Sequence, residues 1–156
     1  MAARILGGEE VAREIRREVA AGVEDLISRG EARPRLAVIL SGENMASQVY
    51  VRNKIKACGE AGIESELIRM EGDRDGGRTM AAVLELNRRE EVDGILVQLP
   101  LPRDADESEV LQAIDPDRDV DGLHPVSAGR LLLGIEGLRP CTPSGILELL
   151  RRSGIE

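Results

Sequence analysis

At 156 residues the chain is long enough for one domain with a proper hydrophobic core and tight for two. Its 42% hydrophobic content is that of an ordinary globular protein, which excludes disorder; no stretch approaches the roughly 18 unbroken apolar residues of a membrane span. A net charge of −8 excludes a broad nucleic-acid surface, which needs a basic face, yet leaves room for a small anionic molecule in a locally favourable cleft.

The rare residues carry more information. The chain has one tyrosine (Tyr50), one histidine (His124), and no phenylalanine or tryptophan, so its core is aliphatic. Nineteen of its 21 basic residues are arginines; only Lys54 and Lys56 are lysines. Arginine keeps its proton in proteins, whereas lysine is tunable as an acid or base. Cys58 and Cys141 are far apart and form neither a CxxC pair nor a disulfide framework, so two reduced thiols in a cytoplasmic protein are expected. The start, Met1-Ala2-Ala3-Arg4-Ile5, lacks the apolar core of a signal peptide.

In chain order, Val11, Ile15, Val19, Val23 and Leu26/Ile27 recur at helical spacing and predict an amphipathic helix from about 9 to 29, stopped by Gly30. The run RLAVILS (35–41) reads as a buried strand and Gly42-Glu43-Asn44 as a turn. Ser47 is the expected N-cap of a helix running to about Ala61, with Gly62 as its stop. A second strand is expected over 63–70, a polar turn over 71–77, and a third helix marked by Met80, Val83, Leu84 and Leu86. DGILVQL (93–99) is the clearest strand, stopped by Pro100-Leu101-Pro102. A helix over about 106–114, an acidic loop, a short helix near 127–133 and a last helix from Pro143, capped by Thr142, complete the reading. No internal repeat, low-complexity tract or linker interrupts it.

Strands that alternate with helices imply an α/β fold: a three-layer sandwich with a mainly parallel sheet and helices on both faces. In such sheets ligands sit beyond the carboxyl ends of the strands, here the loops after Leu40, after Gln98 and around Asp121.

Four constellations carry chemistry or an innocent alternative. In SQVYVRNK (47–54), Ser47, Tyr50 and Lys54 share one helix face. Tyr50 and Lys54 pair a stacking ring with a tunable amine, or else form a solvated face with the ring over the lysine stem. In VQLPLP (97–102), Gln98 ends an apolar strand, where its amide needs partners and is placed to orient a substrate; a cis Leu-Pro bond is a modest possibility. In DPDRDVDG (115–122), Asp117, Asp119, Asp121 and Gly122 match the opening of a calcium loop. The twelfth position falls on Ala128 where a glutamate is required, so calcium is rejected; a solvated acidic turn and a carboxylate for a substrate's amino groups both remain. In RPCTPSG (139–145), Cys141 is a weak nucleophile candidate, because the sole histidine lies in another segment. Glycine-rich dinucleotide, phosphate-loop and HExxH zinc motifs are absent.

The stretches SQVYVRNKIKACGEAGI (47–63), DGILVQLPLP (93–102), PDRDVDGLHPVSAGRLLLG (116–134) and LRPCTPSGILELL (138–150) together resemble the bifunctional methylenetetrahydrofolate dehydrogenase/methenyltetrahydrofolate cyclohydrolase family, in its order and spacing. The resemblance covers essentially the whole chain. It implies one-carbon folate chemistry: oxidation of 5,10-methylenetetrahydrofolate with NADP, then hydrolysis to 10-formyltetrahydrofolate. It places the catalytic lysine on Lys54, the glutamine that contacts it on Gln98, the pterin-binding aspartate on Asp121 and the stacking tyrosine on Tyr50, with Ser47 and Pro100 beside the substrate. Residues 1–140 are then the folate-binding catalytic domain and 141–156 the start of a connecting helix. The family's NADP-binding Rossmann domain is expected to be absent from this chain, so that NADP belongs to the intact family protein and no cofactor or metal site lies here. Tetrahydrofolate derivatives are the expected partners, with no nucleic acid and no membrane, a cytoplasmic location, and a homodimer for the intact protein. The competing reading is a non-enzymatic folate-binding or assembly module, which would keep the Tyr50 platform and need no working lysine.

Overall fold

The computed structural model describes residues 4–74 and 76–155; Met1–Ala3, part of the start read above, and Asp75 of the polar turn lie outside them. Among the described residues, six helices and three strands follow in the order α1 (Gly8–Ser28), β1 (Arg35–Ser41), α2 (Met45–Glu60), β2 (Glu64–Met70), α3 (Gly77–Leu86), β3 (Gly94–Gln98), α4 (Glu107–Gln112), α5 (Pro125–Leu133) and α6 (Cys141–Arg152). The strands form one parallel sheet in the order β2-β1-β3, with Leu36 facing Ser65 on one side and Gly94 on the other.

The alternation of side chains along each strand builds the two outer layers. Ala37 and Ile39 of β1 and Ile95 and Val97 of β3 join Val83, Leu86, Val110 and Ile114, so α3 and α4 cover one face. Val38, Leu40 and Leu96 join Val51, so α2 covers the other. These are helices on both faces of a parallel sheet, the expected three-layer arrangement, and the core is aliphatic.

Helix starts differ from the sequence expectation in two places. Asn44, not Ser47, caps α2: its side chain accepts from the Ser47 amide at 3.1 Å. Ser47 therefore lies inside the first turn, buried, with its Oγ donating to the Leu99 carbonyl at 3.4 Å. Helix α6 begins at Cys141 with Pro140 in the cap position and no side-chain cap, so Thr142 does not cap it. Proline fixes the entry φ and the chain enters the helix two residues earlier than the Thr-Pro pair suggests. Its far end is anchored where Arg152 donates to both carboxylate oxygens of Glu18 on α1, at 2.6 and 2.7 Å.

After β3 the chain returns as a fourth, minimal strand. The Ile95 amide donates to the Arg118 carbonyl at 2.8 Å, and Ile95 bridges Asp119 in parallel. Asp119 is buried and accepts from the His124 amide at 2.8 Å and the Ser127 hydroxyl at 3.0 Å. The chain then turns at Gly122, whose φ is +66°. A Cβ there would lie 2.3 Å from the Arg139 carbonyl carbon and 2.5 Å from the Pro140 nitrogen, so only glycine lets the start of α6 pass this close.

Gly122→Ala is expected to lower stability by about 2 kcal/mol or more, from the left-handed φ together with the backbone collision. Gly134, at φ +68° with no atom within 4 Å of its would-be Cβ, isolates the first effect, and Gly134→Ala should cost only about 1 kcal/mol. Urea midpoints of the two variants check this; equal losses would remove the close approach from the account.

Candidate active site

Three loops converge at the carboxyl end of the sheet. The turn after β1 launches α2; the segment after β3 runs through Leu99-Pro100, whose peptide bond is cis, to Leu101; and the turn after the Ile95–Asp119 bridge presents Asp121. The Ser47–Leu99 hydrogen bond ties the first two together, and Gly122 ties the third to the start of α6.

Within this framework Lys54 Nζ lies 3.8 Å from Asp121 Oδ2, with the lysine side chain 37% exposed and the aspartate 26%. The pair sits in an open cleft of about 210 Å³ lined also by Leu123, Pro140, Cys141, Thr142 and Pro143. Larger hollows lie elsewhere, one of about 430 Å³ between α5 and α6 and one of about 490 Å³ between α1 and α2. Neither contains a lysine–carboxylate pair at the carboxyl end of the sheet, so size does not mark the reactive site here.

Burial pushes the Asp121 carboxyl above the usual carboxylate range; Lys54 pulls it down, and the neighbouring Asp119 pushes it up again. A proton carrier beside a part-buried carboxylate, open on one side, is an arrangement that can move a proton at a bound ligand.

Gln98 shares the face of the sheet that α2 covers, because Leu96, two residues before it, packs there. Its Nε2 donates to the Leu99 carbonyl at 2.6 Å, and its buried Oε1 has no partner among the described residues. The structure thus brings Lys54 against Asp121 and leaves Gln98 with a free acceptor; no Gln98–Lys54 bond is formed. Tyr50 is 63% exposed, one helical turn from Lys54. Pro100 is exposed beside Leu99.

Reasoning from the sequence keeps RPCTPSG apart from the acidic segment, whereas the fold joins them. The Cys141 amide donates to the Asp121 carbonyl at 3.4 Å, and its thiol to the Val120 carbonyl at 3.1 Å. Gly122 after Asp121 and Pro140 before Cys141 are the only sequence signals of that junction. Burial and Asp121 push the Cys141 thiol up, with Lys54 opposing, so it stays protonated and is a poor nucleophile. The single histidine supplies no base: His124 Nδ1 accepts from the Val126 amide at 3.0 Å as the cap of α5, and its Nε2 lies 3.2 Å from the Gln112 carbonyl. Among the described residues no group of three or more His, Cys, Asp or Glu side chains is placed to hold a metal.

Residues 6–121 match the family model described as tetrahydrofolate dehydrogenase/cyclohydrolase, catalytic domain. The chain belongs to this family. It is 52% identical to the bifunctional protein FolD of Rhodopirellula baltica, over all of this chain and 54% of that protein. It is 45% identical to that of Porphyromonas gingivalis, over 97% of this chain and 51% of the other. Among solved structures it is similar to the FolD methylenetetrahydrofolate dehydrogenase/cyclohydrolase of Campylobacter jejuni, with a TM-score of 0.93 and 41% identity over 99% of this chain and 55% of that one. The FolD of Trypanosoma brucei, solved with NADP cofactor and inhibitor, gives a TM-score of 0.93 and 36% identity over all of this chain and 54% of that one. The chain spans about half the length of these relatives.

The raised Asp121 carboxyl has a stability consequence whose sign is fixed. The folded state binds the proton more tightly than the unfolded chain, so folding is penalised above the carboxylate range and the penalty disappears below it. Asp121→Asn is therefore expected to raise the urea midpoint slightly at pH 7, and the advantage over the parent should close as pH falls through the carboxylate range. An advantage independent of pH would mean that something other than the buried charge is responsible.

Proposed function

We propose that this chain is the folate-binding, proton-transferring part of a methylenetetrahydrofolate dehydrogenase/methenyltetrahydrofolate cyclohydrolase in one-carbon metabolism. The observation that carries the reading is the Lys54–Asp121 pair, 3.8 Å apart in a cleft at the carboxyl end of the sheet, on the helix that presents Tyr50. Residues 1–140 form the catalytic domain in this reading and α6 begins the connecting helix. The intact protein acts in the cytoplasm as a homodimer; no helix among the described residues is long and apolar enough to cross a membrane.

NADP is the hydride acceptor that the family implies, and the described residues do not fit it. A dinucleotide needs a glycine-rich strand-to-helix turn with free helix N–H groups for its pyrophosphate. Here the β1–α2 turn has one glycine of positive φ, Gly42, and Asn44 occupies the helix start with its own side chain. The cofactor's seat is therefore assigned to parts of the whole protein outside these residues, and the cleft at Lys54 and Asp121 serves the folate alone.

The pterin end binds at Asp121, whose carboxylate accepts hydrogen bonds from ring N–H groups. The aminobenzoate ring lies on Tyr50. In the hydrolytic step water attacks the carbon between N5 and N10 of the methenyl cation. Lys54 in its amine form takes the proton of that water. The C–N5 bond then breaks as Lys54 returns the proton to N5, and the hydroxyl proton leaves to solvent as the formyl group forms on N10. One proton is released overall, and Lys54 ends as it began.

Lys54→Arg preserves the charge but removes the proton carrier, because guanidinium stays protonated. Hydrolysis of methenyltetrahydrofolate by the full-length protein should fall about 10²–10⁴-fold, the usual contribution of a general acid–base group, while tetrahydrofolate binding persists. A variant that hydrolyses at the parent rate would reduce Lys54 to charge or packing. A parent that binds tetrahydrofolate but never exceeds the spontaneous rate would favour the non-enzymatic module.

Tyr50 contributes its ring face, so Tyr50→Phe should keep most of the tetrahydrofolate affinity. Tyr50→Ala should lose about 1–3 kcal/mol through lost burial and stacking. Calorimetric titration of the two variants separates them; equal losses would point to the hydroxyl.

A further inference from the structure

Asp121 lies in a tight turn that runs from Asp119 to Gly122, closed where the Gly122 amide donates to the Asp119 carbonyl at 3.0 Å. Val120 and Asp121 are its two central residues. The sheet gives this turn little support: a single bridge joins Ile95 to Asp119. The far side is held by the Asp119 side chain, which is 2% exposed. Its Oδ2 accepts from the His124 amide at 2.8 Å and from the Ser127 hydroxyl at 3.0 Å, both beyond the turn at the start of α5. One residue thus fastens the turn twice, through its carbonyl and through its carboxylate.

A buried carboxylate is costly, and packing alone would favour an apolar residue there. Both donors to Asp119 Oδ2 are neutral, an amide and a hydroxyl. The charge of Asp119 therefore also reaches Asp121. Burial pushes the Asp121 carboxyl up, Lys54 from α2 pulls it down, and Asp119 pushes it up again. The Cys141 thiol, at the start of α6, feels the same three charges.

We propose that Asp119 is a positioning residue for the folate site: its buried carboxylate, tied to the start of α5, closes the turn that presents Asp121 to the pterin, and its charge acts on that same site. The inference rests on the proposed binding of the pterin at Asp121. Two substitutions separate place from charge. Asp119→Asn keeps a carbonyl oxygen for the two donors and removes the charge. Ser127→Ala keeps the charge and removes one of the two bonds that hold the turn to α5.

The test is calorimetric titration of the full-length protein with tetrahydrofolate, repeated from about pH 8 down to about pH 5, toward the carboxylate range. The ligand's own titration is common to all variants and cancels when they are compared. Asp119→Asn should bind within about 3-fold of the parent at pH 8, and its loss of affinity on acidification should set in about 0.5–1 pH lower, because a like charge no longer disfavours ionised Asp121. Ser127→Ala should bind about 2- to 10-fold more weakly at every pH, the usual effect of one hydrogen bond, and lose affinity at the parent's pH. Variants of Asp119 and Ser127 that lower only the urea midpoint, with affinity and its pH dependence unchanged, would overturn the positioning role and leave Asp121 as the pterin contact. Asp121→Asn serves as the reference and should bind about 10-fold more weakly or worse; parent-like binding by that variant would overturn the proposed pterin site itself.

Discussion

The close passage of the segment 118–122 along the edge of β3 is the constraint on which the site depends. Two glycines permit it. A Cβ on Gly94 would lie 2.5 Å from Val120 Cγ1, and one on Gly122 would meet the Arg139–Pro140 backbone. With those side chains missing, Asp119 completes the ladder beside Ile95 and is buried, and the next outward-facing position, Asp121, is delivered across the edge of the sheet to Lys54. The same turn brings the start of α6 against the pair. Sheet extension, carboxylate placement and the wall of the cleft are consequences of one backbone path.

Helix α2 supplies the other half of the site because its faces do different work. Val51 and Ile55 pack on the sheet with Val38, Leu40 and Leu96 and fix the helix in rotation. Ser47 fixes its first turn along the axis through the Leu99 carbonyl. With rotation and height set, Tyr50 and Lys54 have no freedom to face elsewhere. Tyr50 and Lys54 are therefore placed by an aliphatic contact and one hydrogen bond made elsewhere on the same helix.

Charge is distributed with the same economy. Ion pairs such as Arg89 with Glu66 and Arg152 with Glu18 and Glu148 neutralise carboxylates, and these pairs hold those acids below the usual range. Asp121 is the exception, held above it by burial that Lys54 only partly offsets. An ionised group that the fold makes uncomfortable is better matched to a cationic or hydrogen-bond-donating ligand than to its apo surroundings, and such a group lowers the stability of the empty protein in exchange for binding.

The sequence by itself determined the alternation of strands and helices, the aliphatic core, the parallel three-layer class and the candidacy of Tyr50, Lys54, Gln98 and Asp121. The elements follow from local periodicity, Tyr50 and Lys54 from the rarity of aromatic residues and lysine, and Gln98 and Asp121 from a polar strand end and an acidic loop together with the family resemblance; all survive any arrangement of the elements. It did not determine the cap of α2, because Asn44 and Ser47 are both good capping residues and only the path of the preceding turn chooses between them. Nor did it reveal that Cys141 and Thr142 line the same cleft as Lys54, or that Lys54 meets Asp121 while the buried Gln98 Oε1 is left without a partner among the described residues. Lys54 and Asp121 are 67 residues apart; their meeting depends on the sheet order β2-β1-β3 and on backbone approaches that only glycine allows, which no local pattern encodes.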